Sequence, residues 1–294
     1  MPATIIDGNA IAAEIKRRTA EEARELSAQG RAPCLAAVLI GDDAAAESYA
    51  RSQAKHAQSV GIEHRLVRLA AAASEAEALA AIAGLNEDPT VSGIMLHLPA
   101  PKPLDGFVLQ QAIAAGRDVE GVGAANLGLL AMGREALVPC TAAAAFACLQ
   151  STGEALAGRE AVVVGRSVIV GKPLAMLLLA AHATVTQCHT RTRDLVAHTR
   201  RAEILCVAAG VPGFIGAEHV SPGAIVIDVG THRVPAEDAG AAGKMRTVGD
   251  VRFEEAAPVA KAITPVPGGV GPVTVAMLLA NTVAACRRSL ARPR

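Results

Sequence analysis

The chain has 294 residues with 28 basic and 28 acidic side chains, so its formal net charge is zero. That balance gives no long-range attraction to nucleic acid or to an anionic membrane. Apolar residues make up 51% but aromatics only 2%, with one Tyr and no Trp, so base-stacking platforms are scarce and the core must be Ala, Val, Leu and Ile.

The length suits two domains of ordinary size. The N-terminus lacks a basic segment followed by an apolar one, and no secretory signal is expected. Each long apolar stretch reads as interrupted by Gly, Pro or charge before membrane-spanning length. Residues Asn9 to Gln29 are predicted helical, with charges on one face and Ala, Ile and Leu on the other. A buried strand follows from Cys34 to Ile40, then a helix from Ala44 to Val60 that Gly61 stops. Ile62 to Leu69 alternates as a strand. Ser74 to Asn86 is a helix opened by a Ser74/Glu77 capping box, and Val91 to Leu98 is a third strand. This β-α-β-α-β order favours parallel pairing. Residues 104–139 read as less regular and Gly-rich.

A second α/β series begins with a helix from Thr141 to Thr152 and a strand from Ala161 to Val164. A helix from Lys172 to Ala181 follows, with Pro173 in its first turn. The pattern then predicts a strand at Ala183 to Cys188, a helix at Thr192 to Ala202, and strands at Ile204 to Ala208 and Ala224 to Val229. A last helix runs from Val273 to Leu290 and is expected to pack back on the first domain. The six cysteines, at 34, 140, 148, 188, 206 and 286, form no CxxC pair. No metal site is indicated, and the pattern suits buried thiols in a reducing cytoplasm. Cys140 alone stands in a motif that could leave it accessible.

Three stretches carry chemistry. In Thr264 to Thr274, three prolines and three glycines fall within eleven residues. Such a stretch restricts the backbone, and its bare glycines, Gly268 and Gly269 beside Pro267, let a flat ligand come close. Val162 to Pro173 reads as strand, glycine turn and helix start, the context of a phosphate-binding turn. Gly165, Arg166, Ser167 and Gly171 form that turn, although Ser167 replaces the middle glycine of the strict pattern. After the second strand of this half comes Cys188-His189-Thr190-Arg191-Thr192-Arg193, with no carboxylate before Asp194. A ribose-binding acid is therefore missing. Arg166, Thr190 and Arg191 could instead hold a 2′-phosphate, which favours NADP over NAD.

These motifs, with Ala202-Glu203-Ile204, Ala209-Gly210, Ile227-Asp228-Val229-Gly230 and Gly249-Asp250-Val251, occur in an order that resembles the bifunctional methylenetetrahydrofolate dehydrogenase/cyclohydrolase family. The resemblance runs from about residue 5 to 285. It implies two α/β domains around a cleft, the second Rossmann-like and NADP-binding. It places a folate-binding catalytic domain at 1–139 and the dinucleotide domain at 140–272, with the helix 273–294 returning to the first. It implies a tetrahydrofolate one-carbon substrate, cofactor contacts that include Gly210 and Thr231, and a homodimer.

The resemblance also locates departures. In the family a Tyr packs on the folate and a Lys four residues later carries protons during hydrolysis. Here these positions are Tyr49 and Gln53. The usual Gln-Leu-Pro-Leu reads His97-Leu98-Pro99-Ala100, and Asp-Val-Asp-Gly reads Asp118-Val119-Glu120-Gly121. Hydride transfer needs mainly proximity and orientation. Water addition to a methenyl cation needs a proton carrier, which an amide is not. The expectation is an NADP-dependent dehydrogenase whose cyclohydrolase activity is weak, lost, or carried by His97 with Gln53 as its hydrogen-bonding partner and Glu120 orienting it. A fully bifunctional enzyme, a dehydrogenase for a related pterin, and a folate- or NADP-binding relative without turnover are the alternatives.

Overall fold

The computed structural model describes residues 2–42, 44–235 and 245–291. In chain order the first elements are β1 (Thr4–Ile5), α1 (Gly8–Ala28), β2 (Cys34–Ile40), α2 (Ala44–Ser59), β3 (Glu63–Leu69), α3 (Glu75–Glu87) and β4 (Gly93–Leu96). Next come α4 (Gly106–Gln111), α5 (Ala124–Ala131), α6 (Cys140–Gln150), β5 (Glu160–Val164), α7 (Gly171–Ala180), β6 (Thr184–Cys188) and α8 (Leu195–Thr199). The last are β7 (Ile204–Val207), β8 (Ile225–Asp228), β9 (His232–Pro235), β10 (Met245–Val248), α9 (Phe253–Ala256), β11 (Ala262–Ile263) and α10 (Val270–Ala291). The chain forms two α/β units, Ala13–Cys140 with Val275–Arg294, and Met1–Ala12 with Thr141–Thr274.

In the unit that holds Ala13–Cys140, a three-stranded parallel sheet has the order β3-β2-β4. Every residue of β2 is buried, as expected of a central strand covered on both faces. Its alternation divides the core. Leu35 packs with Ala23, Leu26, Ala57 and residues of α10, while Cys34, Ala36, Val38 and Ile40 pack with Ala78, Ile82 and Leu109. The capping box on α3 is formed: Glu77 N–H donates to Ser74 Oγ at 3.2 Å, and Ser74 N–H donates to Glu77 Oε2 at 2.7 Å.

In the other unit six strands lie in the order β1-β11-β8-β7-β5-β6, with every pairing parallel. The sequence division at 139/140 leaves the first residues with the wrong unit. Thr4 and Ile5 pair with Ala262 and Ile263, so β1 extends the second unit's sheet. A two-residue strand has too little pattern to announce itself.

Two other readings need correction. The stretch 104–139 contains α4 and α5, short helices opened by Asp105 and Gly123. The segment Val270–Leu290 is long and apolar enough to cross a membrane by length and composition, contrary to the expectation that no such stretch exists. Half of it is buried, with Leu278, Leu279, Val283, Ala285 and Cys286 in the core around Leu35, and this packing accounts for its apolarity.

Candidate functional site

In the unit that holds Ala13–Cys140, α2 and the segments after β4 carry four of the predicted site residues. Tyr49 stands on α2, and its ring meets that of His97 edge-on, with centroids 5.8 Å apart and planes at 85°. Tyr49 remains 47% exposed, which leaves part of the residue accessible to a ligand. One helical turn on, Gln53 is buried. His97 follows β4 and is buried too, its N–H donating to Val38 O at 2.9 Å.

The polar contacts differ from the sequence expectation. Gln53 does not pair with His97: Gln53 Nε2 donates to Met95 Sδ at 2.7 Å, and its Oε1 lies 3.4 Å from His64 Nε2. The strand register explains this. His64, Met95 and His97 fall on the same face of their sheet because they share parity across β3, β2 and β4. His64 was therefore findable only with the register in hand. Among the described residues His97 Nε2 is buried without a hydrogen-bond partner. Burial pushes both imidazoles below their ordinary value, and the proximity of His64 adds to the effect on His97.

Among the described residues Glu120 makes no hydrogen bond to His97; the nearby Leu96 backbone only partly offsets the effect of burial on its carboxyl. Burial, aided by the charge of Asp118, pushes Glu120 up to about 7. Asp118 is itself fully buried, and accepts from the N–H groups of Gly121 at 3.1 Å and Gly123 at 2.7 Å and from Asn126 Nδ2 at 3.1 Å. It serves as the keystone of its loop. Cys140 is buried rather than accessible, and its thiol sits against Val119 O at 3.2 Å. Burial pushes that thiol far above its ordinary value, so it is a poor nucleophile.

The folded pKa of Glu120 lies above its ordinary value of 4.5, so protonation is favoured in the fold. The carboxyl costs nothing below about pH 4.5, and the penalty grows as pH rises through about 7. Glu120→Gln is therefore expected to leave stability unchanged near pH 4. At about pH 8 it should raise stability by about 1–2 kcal/mol. A shift in the urea midpoint measures both, and an equal effect at the two pH values would refute the burial of this charge.

In the second unit the predicted cofactor residues meet at the carboxyl ends of the parallel strands. Gly165, Arg166 and Ser167 follow β5, Thr190 and Arg191 follow β6, Gly210 follows β7 and Thr231 follows β8. The chain passes from β5 to β6 on one side and then to β7 on the other, so the strand order reverses between β5 and β7, the place where open parallel sheets take dinucleotides. Gly165 has φ +130°, and a Cβ there would stand 2.1 Å from Ala208 O. A Cβ on Gly171 would stand 2.2 Å from Gly165 O. Only bare backbone fits at either position.

Ser167 replaces a glycine for a structural reason. Its Oγ accepts from Val170 N at 3.1 Å and Gly171 N at 3.4 Å, capping the start of α7. Gln187, which the sequence reading missed, donates from Nε2 to Gly165 O at 3.0 Å and holds the turn from β6. The β6 loop is self-supported, with Arg191 N donating to His189 Nδ1 and His189 N to Thr192 Oγ1. Arg166 and Arg191 are exposed and, among the described residues, in no ion pair.

Pro267, Gly268 and Gly269 line a cavity of about 340 Å³ with Thr231, Asn9 and Thr247. The loop is braced from α1: Gly8 N donates to Gly268 O at 2.8 Å, and a Cβ on Gly8 would stand 1.7 Å from Gly269 O. Among the described residues no cluster of His, Cys, Asp and Glu could hold a metal ion.

Comparison with known proteins places these features. Residues 139–290 match the tetrahydrofolate dehydrogenase/cyclohydrolase NAD(P)-binding domain, and residues 6–120 match the catalytic domain of the same family. The bifunctional protein FolD of Moorella thermoacetica is 49% identical over 288 residues, covering 98% of this chain and 100% of the relative. The crystal structure of the bifunctional methylenetetrahydrofolate dehydrogenase/cyclohydrolase FolD from Campylobacter jejuni superposes with a TM-score of 0.92 at 39% identity, covering 98% of this chain and 99% of that one. The Trypanosoma brucei enzyme, complexed with NADP cofactor and inhibitor, gives a TM-score of 0.91 at 36% identity, covering 99% of this chain and 100% of that one.

Proposed function

Since the chain belongs to the tetrahydrofolate dehydrogenase/cyclohydrolase family, we propose that it oxidises 5,10-methylenetetrahydrofolate with NADP and hydrolyses the methenyl product weakly or not at all. It is an enzyme of folate one-carbon metabolism, as its relatives are. The residues present fit NADP: the turn at Gly165 and Gly171 has no room for side chains, and Arg166 and Arg191 stand exposed beside it. In this reading Gly165, Arg166, Ser167, Gly171, Thr190, Arg191, Gly210 and Thr231 hold the dinucleotide. The bound nicotinamide supplies the hydride acceptor.

Tyr49, Glu120 and the Pro267–Gly269 backbone bind the substrate. Tyr49 is half-exposed, and Glu120 offers a carboxyl poised near neutrality for a pterin N–H. The substrate's own bridge nitrogens support the positive charge that develops at the methylene carbon. The protein's contribution is then orientation and exclusion of water.

The observation that carries the weak hydrolysis is Gln53. It is buried one turn from Tyr49, and its amide is engaged by Met95 and His64. An amide neither takes nor gives a proton at neutral pH. The test supplies methylenetetrahydrofolate with NADP or NAD and follows nicotinamide reduction. Methenyl substrate is supplied separately, and release of formyl product is measured. Reduction of NADP with slow release is expected; release as fast as reduction would overturn the second half.

A second reading assigns the proton to His97, and its Nε2, unpartnered among the described residues, favours it. On that reading His97→Ala should lower hydrolysis by about 10²-fold or more while sparing hydride transfer. Equal loss of both rates counts against it.

A further inference from the structure

The segments Asp228-Val229-Gly230 and Gly249-Asp250 bring two buried carboxylates together, of which Asp228 also lines the Pro267–Gly269 cavity. Asp228 accepts at Oδ1 from Gly230 N at 2.9 Å and Asp250 N at 3.0 Å, and at Oδ2 from Val251 N at 3.0 Å. Burial pushes its carboxyl up to about 7, with the neighbouring Asp250 charge adding to the effect. Asp250 is fully buried and reaches outward. Its Oδ2 accepts from Gly210 N at 2.9 Å, and its Oδ1 meets His232 Nε2 at 2.7 Å. A carboxylate only accepts, so the imidazole carries its proton on Nε2 in this contact.

The flanking glycines are explained by the same pair. A Cβ on Gly249 would stand 1.8 Å from Asp228 Oδ2, and one on Gly230 would stand 2.4 Å from the Asp250 carboxyl. The backbone is bare where it wraps the two acids. Asp250 thus joins two of the strand-end loops: the β7 loop at Gly210, whose φ is +72°, and the start of β9 at His232, next to Thr231.

We propose that His232 is a positioning residue for the cofactor loop, acting through Asp250 on the Gly210 N–H. A buried carboxylate needs its donors, and each one lost leaves charge without compensation. With His232 absent, Asp250 keeps the Gly210 N–H as its one described donor outside its own segment. It is then free to turn, and the Gly210 loop is released. The consequence falls on dinucleotide binding, and so rests on the NADP reading above; the order of the loop itself does not.

The experiment measures two quantities in wild type, His232→Ala and His232→Gln: hydrogen exchange across residues 208–213 in the unliganded protein, and the Kd for NADP by calorimetry. His232→Ala is expected to speed exchange at Gly210 by about tenfold and to raise Kd by about 5- to 20-fold. Gln carries an Nε2 donor of similar reach, and His232→Gln should bring both values within about twofold of wild type. Unchanged exchange in His232→Ala overturns the proposal, as does equal damage in the Gln variant, which marks a packing role only. Failure of the wild type to bind NADP would sink the functional reading instead, while the exchange result would still stand or fall alone.

Discussion

Gln53→Lys should raise hydrolysis of the methenyl substrate by about 10²- to 10³-fold, the usual contribution of a positioned proton carrier. The site is prepared for such a group. Gln53 is 4% exposed and lies one helical turn from Tyr49, against the sheet face that carries Met95 and His97. Burial would draw a lysine there down toward neutrality, where it can accept and return a proton. His64, within 3.4 Å of the present amide, is held below its ordinary pKa by burial, so it would face the lysine as a neutral acceptor rather than a second cation. On the proposed mechanism hydride transfer does not use this group and should change by less than about threefold. Formyl release and NADP reduction, measured on the same preparation, separate the two steps. A variant that folds, reduces NADP normally and hydrolyses no faster than wild type would remove Gln53 from the explanation.

Gly165→Ala should be the most damaging single-methyl change in the dinucleotide turn. Two costs act together. The residue has φ +130°, which L side chains rarely adopt, and the added Cβ would lie 2.1 Å from Ala208 O. Strain and overpacking each cost about 1–3 kcal/mol. A loss of about 3 kcal/mol or more is expected, and a melting point lower by roughly 10 °C. The displaced segments bear Arg166 and Ser167 on one side and lead to Gly210 on the other, so NADP affinity should fall by about tenfold or more. Gly153→Ala is the comparison. That glycine also has positive φ, +72°, but a Cβ there meets nothing within 4 Å. It should show the backbone cost alone, about 1 kcal/mol. If the two variants melt together, the close approach of the β5 and β7 loops is not a constraint on the fold.

Much of the second unit was legible because its signals are local. Strands Ile204–Val207 and Ile225–Asp228 are continuous apolar runs bounded by Gly and charge, and they are read within a residue or two. The glycine turn after Val164 follows from strand, glycine and helix start in succession. The helix expected from Thr192 to Ala202 shrank to Leu195–Thr199, because Thr192 is spent on the His189 N–H and Asp194 provides the cap two residues inside. The antiparallel pair β9 and β10 carries mixed polar residues that announce no strand. The candidate site divides in the same way. Tyr49 and Gln53 share a helix face by spacing alone, whereas the Gln53 contact with His64 depends on pairing between strands.

The residue order alone determined what each stretch offers: bare backbone at Gly165, Gly171 and Gly269, arginines and no carboxylate in the residues just after Cys188, and an amide at Gln53 one helical turn from Tyr49. These follow from side-chain type and from spacing along one helix or turn, which the chain carries with it into any fold. Tertiary structure decided which groups are paired. It gave Gln53 to His64 and Met95 rather than to His97. Among the described residues it left His97 Nε2 without a partner, and it joined Gly210 to His232 through Asp250. Pairing across strands is set by register and burial, and both arise only when segments distant in sequence compete for the same core.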